Sequence, residues 1–169
     1  MTRPAVTWAT VLGALLFTSP ASSQKLLVGG GVGLGTGLER SDDLPEGLFR
    51  RARTRIVVPL DFRIDEAMTD GIGVVGVFEI EPRTSFGADL RYMRWVSSWF
   101  IPFAGVSAIV APKALLGVNV GVDLRLPFGR SGLALFVEPS LSAMALGSDL
   151  PEDRVLVWAL IAAGIHVGL

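Results

Sequence analysis

The chain has no cysteine, a single histidine and a single tyrosine. Without a thiol there is no disulfide framework, no thiolate metal site and no cysteine nucleophile. A lipid-bearing cysteine at the end of a leader is excluded for the same reason. Charge is thin as well: Asp, Glu, Lys and Arg make up 18% of 169 residues, and the formal net charge is −1. No basic tail or stripe gathers, so nucleic acid is not an expected partner. Helical signals are also missing, because no segment between the apolar runs carries a 3.6-residue amphipathic period. The glycine run 29–37 has Gly-x-Gly-x-Gly spacing, but a phosphate or dinucleotide loop needs a helix after it, and none follows. No pattern marks a metal site or a cofactor, and none of either is expected.

What is present is apolar: half of the residues are hydrophobic and 20 are glycine. The length suits one domain. At the N-terminus Arg3 precedes an uncharged stretch from Ala5 to Phe17, Pro20 breaks it, and Ala21-Ser22-Ser23 supplies small residues. This is the order of a secretory signal peptide, with cleavage expected after Ser23. A membrane anchor would need about 20 apolar residues, more than this stretch holds. The expected division is a signal peptide over 1–23 and one domain over 24–169.

The domain alternates. Over 116–126, Leu116, Val118, Val120, Val122, Leu124 and Leu126 take every second place against Gly117, Asn119, Gly121, Asp123 and Arg125. A period of two cannot form one face of a helix. Segment 55–65 sets Ile56, Val58, Leu60, Phe62 and Ile64 against Arg55, Asp61, Arg63 and Asp65. Segment 26–38 does the same with glycine as its second face. Further strands are predicted over 72–81, 86–93, 100–111, 133–144 and 155–169, which makes eight. Turn residues join them at 69–71, 127–132 and 147–151, and one longer polar connection runs over 39–54. Eight strands without crossover helices imply an up-and-down antiparallel sheet that closes on itself.

Alternation alone leaves open which face is inside. A soluble barrel of the lipocalin kind turns its apolar face inward, and an outer-membrane barrel turns it toward lipid. Three features favour lipid: an aliphatic face free of charge, glycine on the opposite face, and mixed signs on that same face. The expected interior charge network is Asp61, Arg63, Glu79, Asp89, Arg91, Asp123, Arg125 and Glu138, paired because buried charges need partners. Val118, Val120, Val122 and Leu124 are then expected to face lipid. A strand of about 11 residues tilted by ~40° covers roughly 28 Å, close to the apolar band of such barrels. Tyr92, Trp95, Trp99, Phe100 and Phe128 lie near strand ends, where interfacial aromatics collect; Trp158, on the inward phase, reads as core. Pro59, Pro102 and Pro139 fall inside strands, and each calls for a bulge or a strand end nearby. Residues 95–112 carry no charge and leave a spanning helix as a rival, against which Pro102, Gly105 and the β-branched content of 106–110 argue.

The leader, the eight alternating strands and a last strand running to the final residue resemble the small outer-membrane β-barrel proteins, the class that includes the transmembrane domain of OmpA and the OmpX-like barrels. The resemblance covers 24–169. It implies a closed transmembrane barrel in the outer membrane of a Gram-negative envelope, as a monomer, with outer-membrane lipids and the barrel-assembly machinery as partners. In that class the C-terminal strand signals assembly through alternate apolar residues and a terminal aromatic; Ile165, Val167 and Leu169 keep the alternation, with leucine in place of the aromatic. The expected role is structural or one of surface interaction, with no catalytic residue assigned. A small pore, a lipid-modifying barrel enzyme and a soluble periplasmic ligand carrier are the alternatives. For the enzyme, His166 with Ser140, Ser142 and Glu138 is the only conceivable triad, and a lone histidine near a chain end is more often structural.

Overall fold

Branched and aromatic side chains at every second position fit a pleated strand with one apolar face. The computed structural model describes residues 26–41, 51–64, 69–81, 84–111, 114–129, 132–148, 150 and 155–168. The expected leader over 1–23, much of the long connection, and Leu169 lie outside them. Eight strands form: β1 (Leu26–Ser41), β2 (Arg51–Ile64), β3 (Asp70–Glu81), β4 (Ser85–Arg94), β5 (Phe100–Ala111), β6 (Leu115–Phe128), β7 (Leu133–Gly147) and β8 (Leu156–Gly168). They pair in chain order, and β8 closes on β1 to complete an antiparallel up-and-down barrel. Among the described residues no helix is long and apolar enough to cross a membrane; the uncharged stretch read as a possible helix contains β5.

An even strand number puts the starts of β1 and the end of β8 at one rim, here the terminal rim, with the β2–β3, β4–β5 and β6–β7 connections. The other four connections meet at the loop rim. Several strands outrun their sequence bounds. β1 and β2 continue through 39–41 and 51–54, so the long connection shrinks to 42–50. Asp70 and Gly71 open β3 rather than turn, and Pro127 and Phe128 end β6. The remaining turn there uses Gly129 and Gly132 at φ 57° and 70°, a conformation that suits glycine.

The prolines sit where the ladder tolerates them. The β6–β7 pairing is interrupted between Gly121–Ser140 and Leu124–Val137, at Pro139. The β1–β2 pairing is interrupted between Gly30–Leu60 and Gly33–Val57, at Pro59. Each proline still pairs on its other side, with Ile161 and Val75. A proline has no N–H to give, so one neighbour is lost and one is kept. Pro102 lies beyond the last β4–β5 pair, Met93–Phe103, near the start of β5.

The faces separate cleanly. On β6, Val118 and Val120 stand out from the wall at 55% and 50% exposure, while Asn119 between them is 2% exposed. The inward face is less polar than its sequence suggests. Val57, Val75, Val77, Phe136 and Ala162 form one buried cluster; Ile109, Met144, Trp158 and Leu160 a second; Met93, Ile101 and Phe103 a third. Glycines make room for them along the wall rather than across the bore: Phe136 on β7 lies over Gly164 of β8 and Gly33 of β1, where an added Cβ would come within 2.8 and 2.6 Å of its ring.

Candidate functional site

The inward phase of β2, β3, β4, β6 and β7 brings the charges into three clusters. Toward the loop rim, Arg53 Nη1 donates to Glu79 Oε1 at 2.5 Å, Arg55 Nη2 lies 3.4 Å from the same oxygen, and Ser85 Oγ donates to Glu79 Oε2 at 2.6 Å. Both guanidiniums lie over the Trp158 ring, at 3.9 and 5.4 Å from its centre. Midway, Arg91 donates to Glu138 Oε2 at 2.6 Å and to Asp89 Oδ2 at 2.9 Å, and Ser107 Oγ donates to Asp89 Oδ1 at 2.5 Å. The Arg91 guanidinium covers Phe103 at 4.1 Å. Such forked, charge-assisted bonds are the strong kind.

Toward the terminal rim, Arg125 bonds Asp61 and grips Asp123 Oδ2 through Nη2 at 2.6 Å and Nε at 2.8 Å. His166 Nε2 lies 2.8 Å from Asp61 Oδ2. Nε2 has no aligned hydrogen bond in this arrangement. A cavity of about 280 Å³ opens beside this cluster, lined by Arg63, Trp95, Asp61, Arg125 and His166. A wider apolar hollow of about 760 Å³ lies on the outer wall over β6, β7, β8 and β1, between Val120, Leu141, Ala159 and Leu38.

The structure thus brings Asp61, Glu79, Asp89, Arg91, Asp123, Arg125 and Glu138 into ion pairs inside the barrel. Arg63 is the exception. It faces inward near the terminal rim but lies over the Trp95 ring at 5.1 Å, and no carboxylate pairs with it among the described residues. Trp95 accordingly belongs to the interior, packed on Met93, Ile101 and Phe103, rather than to an outer girdle; Tyr92, Trp99 and Phe128 do face out. On β6, Val122 and Leu124 share the outward phase of Val118 and Val120 but are more covered than either.

Arg53, Arg55 and His166 join the clusters although the charge pattern did not single them out. Arg53 and Arg55 share the phase of Asp61, so the period of two, carried back through the polar connection, contained the signal. The imagined triad does not assemble. His166 is in register with Ala134 and leans on Asp61, Ser142 is in register with Trp158, and Glu138 is taken by Arg91. Among the described residues no group of three or more His, Asp or Glu gathers for a metal ion.

No family model matches the chain, and no curated protein matches it in sequence. Among solved structures, the barrel is similar to the N-terminal β-barrel domain of Pseudomonas aeruginosa OprF, with a TM-score of 0.52 and 11% identity over 86% of this chain and 98% of that one. It is similar also to Ail, the attachment invasion locus protein of Yersinia pestis, with a TM-score of 0.50 and 9% identity over 84% and 99%. Both likenesses are of fold: the chain has the architecture of the small eight-stranded outer-membrane barrels, to which OmpA-like and OmpX-like proteins belong.

Proposed function

We propose that the protein is an outer-membrane barrel of the Gram-negative envelope with a structural or surface-interaction role, its interior plugged by paired charges. One observation carries the reading: the barrel is inside-out for a soluble protein. Leu34, Leu90, Val118 and Leu141 stand half exposed or more on its outside, whereas Glu79, Asp89 and Arg91 are at most 5% exposed within. In water an apolar belt of that extent is an aggregation surface. In hydrocarbon it is solvated, and a closed barrel leaves no unpaired sheet edge. Outward Tyr92, Trp99 and Phe128 toward the terminal rim suit the headgroup level. Connections 42–50 and 148–155 make the loop rim the better candidate for the cell surface, since such barrels keep short turns on the periplasmic side. Lipids are then the permanent partners, and the assembly machinery a transient one that meets β8.

Membrane fractionation with gel migration before and after boiling tests the location. Recovery in the outer-membrane fraction with a heat-shifted band is expected; a freely soluble periplasmic chain would sink the proposal. Planar bilayers separate plug from pore. Three ion-pair clusters across an eight-stranded bore leave little room for water, so steady unitary currents are not expected, and their appearance would favour the pore.

A further inference from the structure

We infer that the cavity at the terminal rim binds a small zwitterion, held between Asp61 and Arg63. The triplet Asp-x-Arg occurs on three strands: Asp61-Phe62-Arg63 on β2, Asp89-Leu90-Arg91 on β4 and Asp123-Leu124-Arg125 on β6. Residues two apart on a strand share a face at a spacing of about 6.6 Å, within reach of an arginine side chain. On β4 and β6 the arginine turns back onto its own aspartate. Arg91 Nη2 donates to Asp89 Oδ2 at 2.9 Å, and Arg125 Nε donates to Asp123 Oδ2 at 2.8 Å. On β2 the same pair stands open. Asp61 gives Oδ2 to Arg125 and to His166, while Arg63 is turned onto the Trp95 ring, 5.1 Å from its centre. Both members of the open pair line the cavity of about 280 Å³.

An open pair of opposite charges offers two complementary ends to one ligand. The Arg63 guanidinium carries only donors and meets no carboxylate among the described residues. Across the cavity, Asp61 and Asp123 share the one guanidinium of Arg125, so that wall is acidic. Asp61 Oδ1 takes no part in the contacts with Arg125 and His166 and is the acceptor left for the cavity. A ligand anion fits against Arg63 and a ligand ammonium against Asp61. An anion alone leaves the acidic wall unanswered, and a cation alone leaves the guanidinium unanswered. Leu27, in register with Arg63, and Trp95 line the space between and suit a short methylene stretch. Gly29 and Gly168 border it without side chains. The volume lies below that of pockets for drug-sized molecules, so the ligand is of amino-acid size. Arg63 is half-buried rather than sealed in, and the site faces the terminal rim. In the orientation proposed above the ligand comes from the periplasm; binding itself does not depend on that orientation.

The test is a titration of the isotope-labelled full chain in detergent micelles, read from the indole N–H resonance of Trp95. The probes are γ-aminobutyrate, butyrate and butylammonium, which carry both charges, the anion alone and the cation alone on a short chain. γ-Aminobutyrate is expected to shift the resonance saturably, at a concentration about tenfold or more below either single-ended probe, since each loses one hydrogen bond to a charged group. The Trp158 indole, toward the loop rim, is expected to stay still. Arg63→Gln removes the guanidinium and leaves every ion pair inside the barrel in place. It should weaken γ-aminobutyrate to the level of butylammonium with the β-sheet circular dichroism signal unchanged. The three probes on the wild type decide the matter even where that variant does not fold. No saturable shift with γ-aminobutyrate overturns the site. So does butyrate acting as strongly, which would make Arg63 a plain anion contact, or a wild-type response retained in Arg63→Gln.

Discussion

Phe136 shows what a side chain inside so narrow a barrel depends on. Its ring is 2% exposed and rests on the bare backbone of Gly33 and Gly164, in contact with Val57, Val75, Val77 and Ala162. Phe136→Ala leaves a cavity that β-strands locked in a closed ladder cannot collapse, and is expected to cost about 3–5 kcal/mol, read from denaturant unfolding in micelles. Arg91 is the polar counterpart. It pairs with both Asp89 and Glu138, Ser107 donating to Asp89 as well. Arg91→Ala strands two buried carboxylates and is expected to cost about 3–5 kcal/mol; Glu138→Gln, which keeps an acceptor for Arg91 and removes one charge, should cost clearly less in the same measurement. Equal losses would mean that the charge of Glu138, rather than the two stranded carboxylates, accounts for the whole effect.

At the scale of the strand, Pro139 divides β7 into two halves that meet β6 separately. Its carbonyl approaches Gly121 on β6, so the side on which it lacks a donor is the side where the ladder is open. Pro139→Val restores an N–H facing β6 and is expected to stabilise the barrel by about 1 kcal/mol, with slower hydrogen exchange at the amides of Val122 and Asp123. No change in exchange would place the cause of the gap elsewhere. The positions of the strands were legible in the sequence because a period of two survives wherever one face must stay apolar. The partner lost at each proline was not, since sequence does not tell which side of a strand a given N–H faces. Nor were the inward apolar residues. Val57 sits between Ile56 and Val58, and Val75 and Val77 between Val74, Gly76 and Phe78, and with both faces lacking polar residues the alternation falls silent. Trp95 was misread for a related reason: nearness to a strand end says nothing about phase, and the room that Gly71 leaves beside its ring draws it inward.

For the whole molecule, the question is which medium the outer wall meets, and one substitution asks it directly. Val120 lies near the middle of β6, half exposed, with Leu141 beside it on β7 and Ala104 on β5. If the wall lies in a bilayer, this position is near the midplane, and Val120→Arg is expected to cost about 2–4 kcal/mol on folding into lipid vesicles. On a barrel bathed by water the same surface change would fall within about ±0.5 kcal/mol. Leu126→Arg, two-thirds exposed near the terminal rim, supplies the depth control, because the cost of an arginine falls to about 0–1 kcal/mol near the interface. Interior substitutions cannot make this distinction, since Phe136 and Arg91 are buried whatever surrounds the barrel. A steep loss at Val120 with a shallow one at Leu126 fits a belt in hydrocarbon, and equal small losses at both would put the wall in water.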